Sequence, residues 1–274
     1  MRRRSLLLGG AGVVGLTALG TAALASDAVA RRIPLPGLRP EVGGPVPDAA
    51  EGLVRLETVT SQARGREVGL WTAVPAGHGD GAGLPVCLVL HGASATTADF
   101  SAFGLARFLT AAVEAGVAPF VLAGADGGRT LWEGEGPGSA DDPQRMLAQE
   151  LPDWCAQRGF DARRLAAYGW SMGGYGALRA AELRPGTLRA VAALSPAVSR
   201  GDAVFRDAGA LQGRRTGLWC GRSDSFSPAV HALAESVPGG AAVARWGEGG
   251  HTRGYWNTVT PAAFALVGRS LAGG

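Results

Sequence analysis

The chain has 274 residues, 46% hydrophobic and 18% charged, which suits one sizeable core and excludes a largely disordered polymer. Its 44 Gly follow no three-residue period, so a collagen-like chain is excluded too. All 26 basic residues are Arg, set against 23 acids; three of them lie at positions 2–4, so the remainder is balanced and carries no basic stripe for nucleic acid.

Residues 1–25 have a charged start, a Gly-rich apolar stretch and the small-residue end Ala23-Leu24-Ala25, the three parts of an export signal. Arg3-Arg4-Ser5-Leu6-Leu7 resembles a twin-arginine signal, which implies the twin-arginine export machinery as a partner and a place outside the cell or in the cell envelope. A second candidate cut follows Ala28-Val29-Ala30, and an uncleaved membrane anchor is the alternative, since about 20 apolar residues span a bilayer. Residues 26–52 are rich in Pro and Gly and read as a linker, so the folded domain is expected over 53–274.

The first elements are two alternating runs, Leu53–Thr60 and Glu67–Val74, joined by a hairpin loop. A buried strand over Val86–Leu90 follows, then a helix over Phe100–Ala115 with Asp99 as its N-cap. Next come a strand over Phe120–Ala123 and a helix over Asp142–Arg158, capped by Asp142, opened by Pro143, and kinked or split at Pro152. The second half alternates strands (Leu165–Tyr168, Ala190–Leu194, Thr216–Cys220, Ala241–Trp246) with helices (Met172–Leu183, Pro228–Ser236, Trp256–Leu271). Continuous apolar strands between helices predict an α/β domain: a mostly parallel sheet of eight strands, helices on both faces, an antiparallel hairpin at one edge. The stretch between Leu194 and Thr216 shows no clear element and is too short for a lid domain, so a site at the sheet edge is expected to be open. Cys87, Cys155 and Cys220 read as small buried hydrophobes; the odd count leaves at least one thiol free, and no Cys/His cluster suggests a metal.

The strongest chemical signal is Gly169-Trp170-Ser171-Met172-Gly173, placed between a strand and a helix. A chain reversing there leaves Ser171 at the tip of a sharp turn that only tiny neighbours allow, with a helix N-terminus behind it. A serine hydroxyl needs a base, and the base an orienting acid. Of the four His (78, 91, 231 and 251), His251 follows the last strand and is the candidate base; His91 is assigned a turn-stabilising role. Asp224, just past Thr216–Cys220, is the candidate acid, with Asp202, Asp207 and Glu248 as rivals. Charge forming on the substrate oxygen needs backbone donors, for which Met172 N–H and Ala93 N–H are the candidates.

LVLHGA at 88–93, ADGG at 125–128, GWSMGGYGAL at 169–178, CGRSD at 220–224 and GGHTRGYW at 249–256 together resemble the α/β-hydrolases, in particular the esterase D and mycolyltransferase-type serine esterases. The resemblance implies an α/β-hydrolase fold, a Ser171–Asp224–His251 triad, and no metal or cofactor. It also implies that Asp126 and Trp132 flank the substrate cleft. Trp132 and Trp170 are the candidate substrate-binding aromatics, with Trp219 and Trp256 beside other motif positions. The implied activity is hydrolysis of a small-molecule or lipid-like carboxylic ester through an acyl-enzyme. The sequence departs from the mycolyltransferases at His91-Gly92-Ala93-Ser94, where those proteins carry an acidic, Arg-containing sugar-binding turn, so water is the simpler acceptor. Acyl transfer to a sugar or other alcohol is the alternative within enzymes. A non-catalytic cell-wall-binding protein is the alternative outside them.

Overall fold

The structure is a computed structural model that describes residues 44–134 and 139–273. The predicted export signal and most of the predicted linker lie outside these residues. Among the described residues, eight strands form one sheet: β1 (Val54–Ser61), β2 (Arg66–Ala73), β3 (Pro85–Leu90), β4 (Val121–Ala125), β5 (Asp161–Trp170), β6 (Leu188–Leu194), β7 (Arg215–Gly221) and β8 (Val243–Gly247). Their spatial order is β1-β2-β4-β3-β5-β6-β7-β8. β1 pairs antiparallel with β2 and β2 with β4, while every pair from β4 to β8 is parallel. The sheet is therefore mixed and mostly parallel, as its apolar strands predict.

Strand side chains alternate between two cores. Val86, Leu88 and Leu90 of β3 join one; Cys87 and Val89 join the other. The first core is covered by the helical stretch 143–157, which begins with α3 (Pro143–Arg145) and ends with α4 (Leu151–Gln157), and by α5 (Met172–Leu183), α6 (Ala203–Arg206) and α7 (Ser227–Ser236). The second is covered by α1 (Asp99–Ala102), α2 (Leu105–Glu114) and α8 (Arg253–Ala272). All three cysteines are buried and free, and burial raises the thiol pKa of each, to about 12 for Cys155 and Cys220.

Two helices differ from their sequence pattern. The single helix predicted over Phe100–Ala115 is broken at Gly104, whose φ of 69° is left-handed. A Cβ there would lie 2.3 Å from Val46 Cγ1, so the packing of the N-terminal segment depends on the gap. Asp99 is not the N-cap; its carboxylate accepts from Thr96 N–H (2.8 Å) and Thr96 Oγ1 (3.1 Å), fixing the turn before α1. The predicted helix at 142–158 starts as expected, with Asp142 Oδ1 accepting from Arg145 N–H at 2.8 Å. Ahead of Pro152 it widens into a π-helical stretch, Met146–Glu150, between α3 and α4. Proline has no N–H and its ring crowds the carbonyl four residues back; the wider turn accommodates both without breaking the helix.

The stretch after β6 holds two elements too short to show in the sequence pattern, α6 and a 3-10 turn at Ala208–Leu211, and no insertion of domain size. Residues 44–53 have no helix or strand, yet Gly44 N–H donates to Gly254 O (3.1 Å) and Thr258 Oγ1 (2.9 Å) on α8. On the outer side of α5, Arg179 binds Glu133 (3.0 Å), Glu182 (2.7 Å) and Asp207 (2.7 Å), joining the 126–134 loop and the segment after α6 to that helix. The β2–β3 connection, 74–84, lies at the opposite sheet edge from the strand C-termini; there Gly83 N–H meets Gly159 O (2.8 Å) and Asp161 N–H meets Leu84 O (2.8 Å).

Candidate active site

β5 ends at Trp170 and α5 begins at Met172, leaving one residue to reverse the chain. That residue, Ser171, has φ 55° and ψ −123°, a conformation L-residues rarely adopt and one that stores strain. Two glycines make it sterically feasible. A Cβ on Gly169 would lie 2.3 Å from Gly173 O, and one on Gly173 would lie 1.9 Å from Leu90 O. The elbow therefore needs both positions bare, and it carries α5 directly against the end of β3.

β7 and β8 deliver the other two groups. Asp224 sits in the turn after β7, its side chain wholly buried, and its Oδ1 accepts from Phe226 N–H at 2.9 Å. His251 sits in the loop after β8. Gly221 lets this loop close, because a Cβ there would lie 2.2 Å from Gly249 O. The result is a chain of two hydrogen bonds: His251 Nδ1–H donates to Asp224 Oδ2 at 2.9 Å, and His251 Nε2 lies 2.8 Å from Ser171 Oγ. A carboxylate oxygen only accepts, so Nδ1 carries the proton and Nε2 receives one from the hydroxyl. Phe226 (5.1 Å between ring centroids) and Trp256 (5.2 Å, edge-on) pack against the imidazole and limit its rotation.

Burial works against charge on Asp224, but the hydrogen bonds from His251 Nδ1–H and Phe226 N–H outweigh it. The carboxyl is held below its ordinary range. Ser195 adds to this. It follows β6 with φ 43°, is fully buried, and its hydroxyl faces Asp224 and Cys220 without a well-formed hydrogen bond. Nothing in the sequence marks Ser195: a Ser-Pro pair after a strand reads as an ordinary turn.

The turn after β3 lies beside the elbow. A Cβ on Gly92 would come within 3.4 Å of Ser171 Cβ and 2.9 Å of Trp170 Nε1, so the bare backbone approaches closely. Among the described residues, the backbone N–H groups of Ala93 and Met172 donate to no protein acceptor. Met172 heads the 12-residue α5, whose N-terminal end favours negative charge.

The rival acids are engaged elsewhere. Asp202 accepts from Ser199 N–H (2.6 Å), Asp207 pairs with Arg179, and Glu248 is exposed. Trp132 is not a cleft residue here. It is fully buried, between positions 127 and 176, where any Cβ would lie 2.5 Å from its ring. Trp170 is buried as well, packed among Phe100, Phe103, Tyr168 and Trp256 beneath the Gly92 turn. Asp126 is half-buried and its carboxylate is engaged within the fold, accepting from Thr97 N–H (2.8 Å), Thr97 Oγ1 (2.9 Å) and Gly69 N–H (2.9 Å). No group of three or more His, Cys, Asp or Glu able to hold a metal ion occurs among the described residues.

Comparison with solved structures finds the same architecture in other proteins. A ferulic acid esterase superposes with a TM-score of 0.71 at 18% identity, over 81% of this chain and 99% of the other. An S-formylglutathione hydrolase from Agrobacterium tumefaciens gives 0.66 at 18% identity, over 82% and 98%. MPT51 from Mycobacterium tuberculosis gives 0.59 at 17% identity, over 80% and 99%. At these identities the likeness is one of fold. No curated protein matches the sequence. The model of the Esterase family matches residues 61–271, a stretch that takes in β2 to β8 and all of Ser171, Asp224 and His251. The chain belongs to the esterase family and is a carboxylic ester hydrolase built on the α/β-hydrolase fold.

Proposed function

We propose that the protein cleaves carboxylic esters through an acyl-enzyme on Ser171. The observation that carries this reading is the hydrogen-bonded relay from Asp224 through His251 to a serine held at a strained elbow. Ser171 Oγ attacks the ester carbonyl while its proton passes to His251 Nε2. The imidazolium that forms is stabilised by Asp224, whose carboxylate also fixes the ring and its tautomer. The oxyanion is met by Met172 N–H and Ala93 N–H, two donors beside Ser171 that have no protein acceptor among the described residues. His251 then protonates the departing alcohol, and the Ser171 acyl ester remains. A water that loses a proton to His251 Nε2 attacks this ester. The collapsing intermediate releases the carboxylic acid, and Ser171 regains its proton.

An alcohol in place of that water would turn the same intermediate to acyl transfer, so the acceptor is read from products rather than from the relay. The Ser171→Ala variant tests the core of the reading. It should lose labelling by a fluorophosphonate probe and nearly all turnover of p-nitrophenyl acetate. Labelling equal to the wild type would remove Ser171 as nucleophile. We further propose that residues 1–25 export the enzyme by the twin-arginine route. The support is the Arg pair, the Gly-rich apolar run and the Ala-x-Ala end. Replacing Arg3 and Arg4 by Lys should then leave active enzyme inside the cell.

A further inference from the structure

The His91–Trp132 pair lies directly under the Gly92 turn and takes no part in the relay. His91 is buried, and its ring packs 4.9 Å from that of Trp132. Its Nδ1 is 2.8 Å from Gly92 O, and its Nε2 is 2.9 Å from the nitrogen of Gly127. A carbonyl oxygen only accepts and a backbone N–H only donates. The ring is therefore neutral, with its proton on Nδ1 and a lone pair on Nε2. Burial, which lowers the His91 pKa, keeps it that way. Trp132 Nε1–H donates to His91 O at 3.1 Å.

These two bonds fall on consecutive peptide groups. Trp132 holds the carbonyl of the His91–Gly92 peptide, and His91, beside Ala95 N–H (3.1 Å), holds the carbonyl of the Gly92–Ala93 peptide. A peptide group is planar and trans, so fixing the direction of Gly92 C=O fixes the opposite direction of Ala93 N–H. A hydrogen bond at the carbonyl also polarises the same unit and strengthens its N–H as a donor. The chain accepts strain to place the indole there: Leu131 and Trp132 both have left-handed φ, 56° and 61°. Leu131 is turned outward while Trp132 is driven into the slot lined by Gly127 and Gly176, the latter on the elbow helix.

We propose that His91 and Trp132 are positioning residues that aim the Ala93 N–H at the reacting oxygen, with the strained Leu131–Trp132 step as the part that sets them. This rests on the reading of Ala93 as an oxyanion donor. It makes Trp132 a determinant of rate and not of substrate choice.

The test uses the full-length enzyme and three variants: Trp132→Phe, which keeps a ring but loses the N–H; His91→Leu; and His91→Asn, whose amide can still donate to Gly92 O. Trp132→Phe and His91→Leu should each lose about tenfold in kcat with KM within about twofold, less than the roughly hundredfold or more lost with a whole oxyanion donor. His91→Asn should recover most of that loss. Affinity for a trifluoromethyl ketone, which forms an anionic adduct on the serine, should fall by the same factor as kcat/KM. Unchanged kcat in both deletion variants, or a fall in kcat with unchanged ketone affinity, overturns the proposal. A measurement on the wild type needs no variant to fold: nitrogen-15 NMR of the histidines at pH 7 should show His91 protonated at Nδ1 and bare at Nε2. The opposite tautomer in a normally active enzyme overturns the pinning and leaves the esterase reading intact. A wild type that neither turns over esters nor binds the ketone overturns both.

Discussion

Gly173 stands in the first turn of α5, against the carbonyl end of β3. A methyl group added there would lie 1.9 Å from Leu90 O, 2.4 Å from Leu90 C and 2.7 Å from His91 O, where ordinary contact begins at 3.4 Å. Every one of these atoms is backbone, so no side chain can rotate away. Either α5 or the turn at His91-Gly92 must move by about 1 Å or more, and both carry parts of the site. Overpacking of this kind costs about 1–3 kcal/mol, and a clash between two backbones belongs near the upper end. For a domain of this size, about 3 kcal/mol lowers Tm by roughly 6–12 °C. A shift of about 1 Å between nucleophile and oxyanion donors costs roughly a hundredfold in rate. Gly173→Ala is therefore expected to lose both, read by calorimetry and by kcat/KM on p-nitrophenyl acetate. Gly201→Ala is the control, because nothing lies within 4 Å of its Cβ and its φ is unstrained. A Gly173→Ala enzyme with Tm within about 2 °C of wild type and more than about a third of its kcat/KM would refute the packing argument.

Asp224→Asn should lower kcat by about 10³–10⁴ with little change in Tm, because an amide NH₂ turned toward Nδ1 leaves the proton on Nε2, facing Ser171; steady-state kinetics with a loss below about tenfold would contradict that role for the carboxylate. Glu182 sets a pH dependence of stability. Its burial, helped by the nearby Asp207 and Glu133, outweighs Arg179 and raises the carboxyl to about 7. A group whose folded pKa is raised binds more protons folded than unfolded, so stability falls as pH rises from the unfolded value near 4.5 through about 7. Thermal scans of the wild type should lose roughly 2 kcal/mol through this group between pH 5 and pH 8. Glu182→Gln, which keeps an acceptor for Arg179, should remove most of that slope; an unchanged slope would assign it to other groups.

The sheet and the relay were legible in the sequence for a shared reason. The apolar runs of β3 to β7 are continuous because both faces of those strands are covered, and each candidate group follows the end of a strand that such runs make visible. The strand pattern thus puts Ser171, His251 and Asp224 at one sheet edge. What stayed hidden depends on contacts between distant segments. The break at Gly104 is set by Val46, and Asp99 is claimed by Thr96 before it can cap a helix. The π-helical stretch needs Pro152 inside a helix that packing keeps whole. The family resemblance puts Trp132 at the cleft, because the residue lies beside a motif that follows a strand. Its burial depends on two bare glycines, one of them in another element, and on a backbone turn that is unfavourable by itself. Ser195 carries no pattern, since its place beside Asp224 arises only when β6 and β7 align.

Ser171, Asp224 and His251, the groups of the proposed relay, lie at one rim of the sheet, and the 74–84 connection crosses the other. β3 separates the two by six residues, about 20 Å. In that connection Gly77 and Gly79 have nothing within 4 Å of where a Cβ would be. A linker or tag spliced there would leave the molecule on the side away from Ser171. Enzyme fixed to a resin or scaffold by that loop would face the rim that carries Ser171 outward, toward the solution.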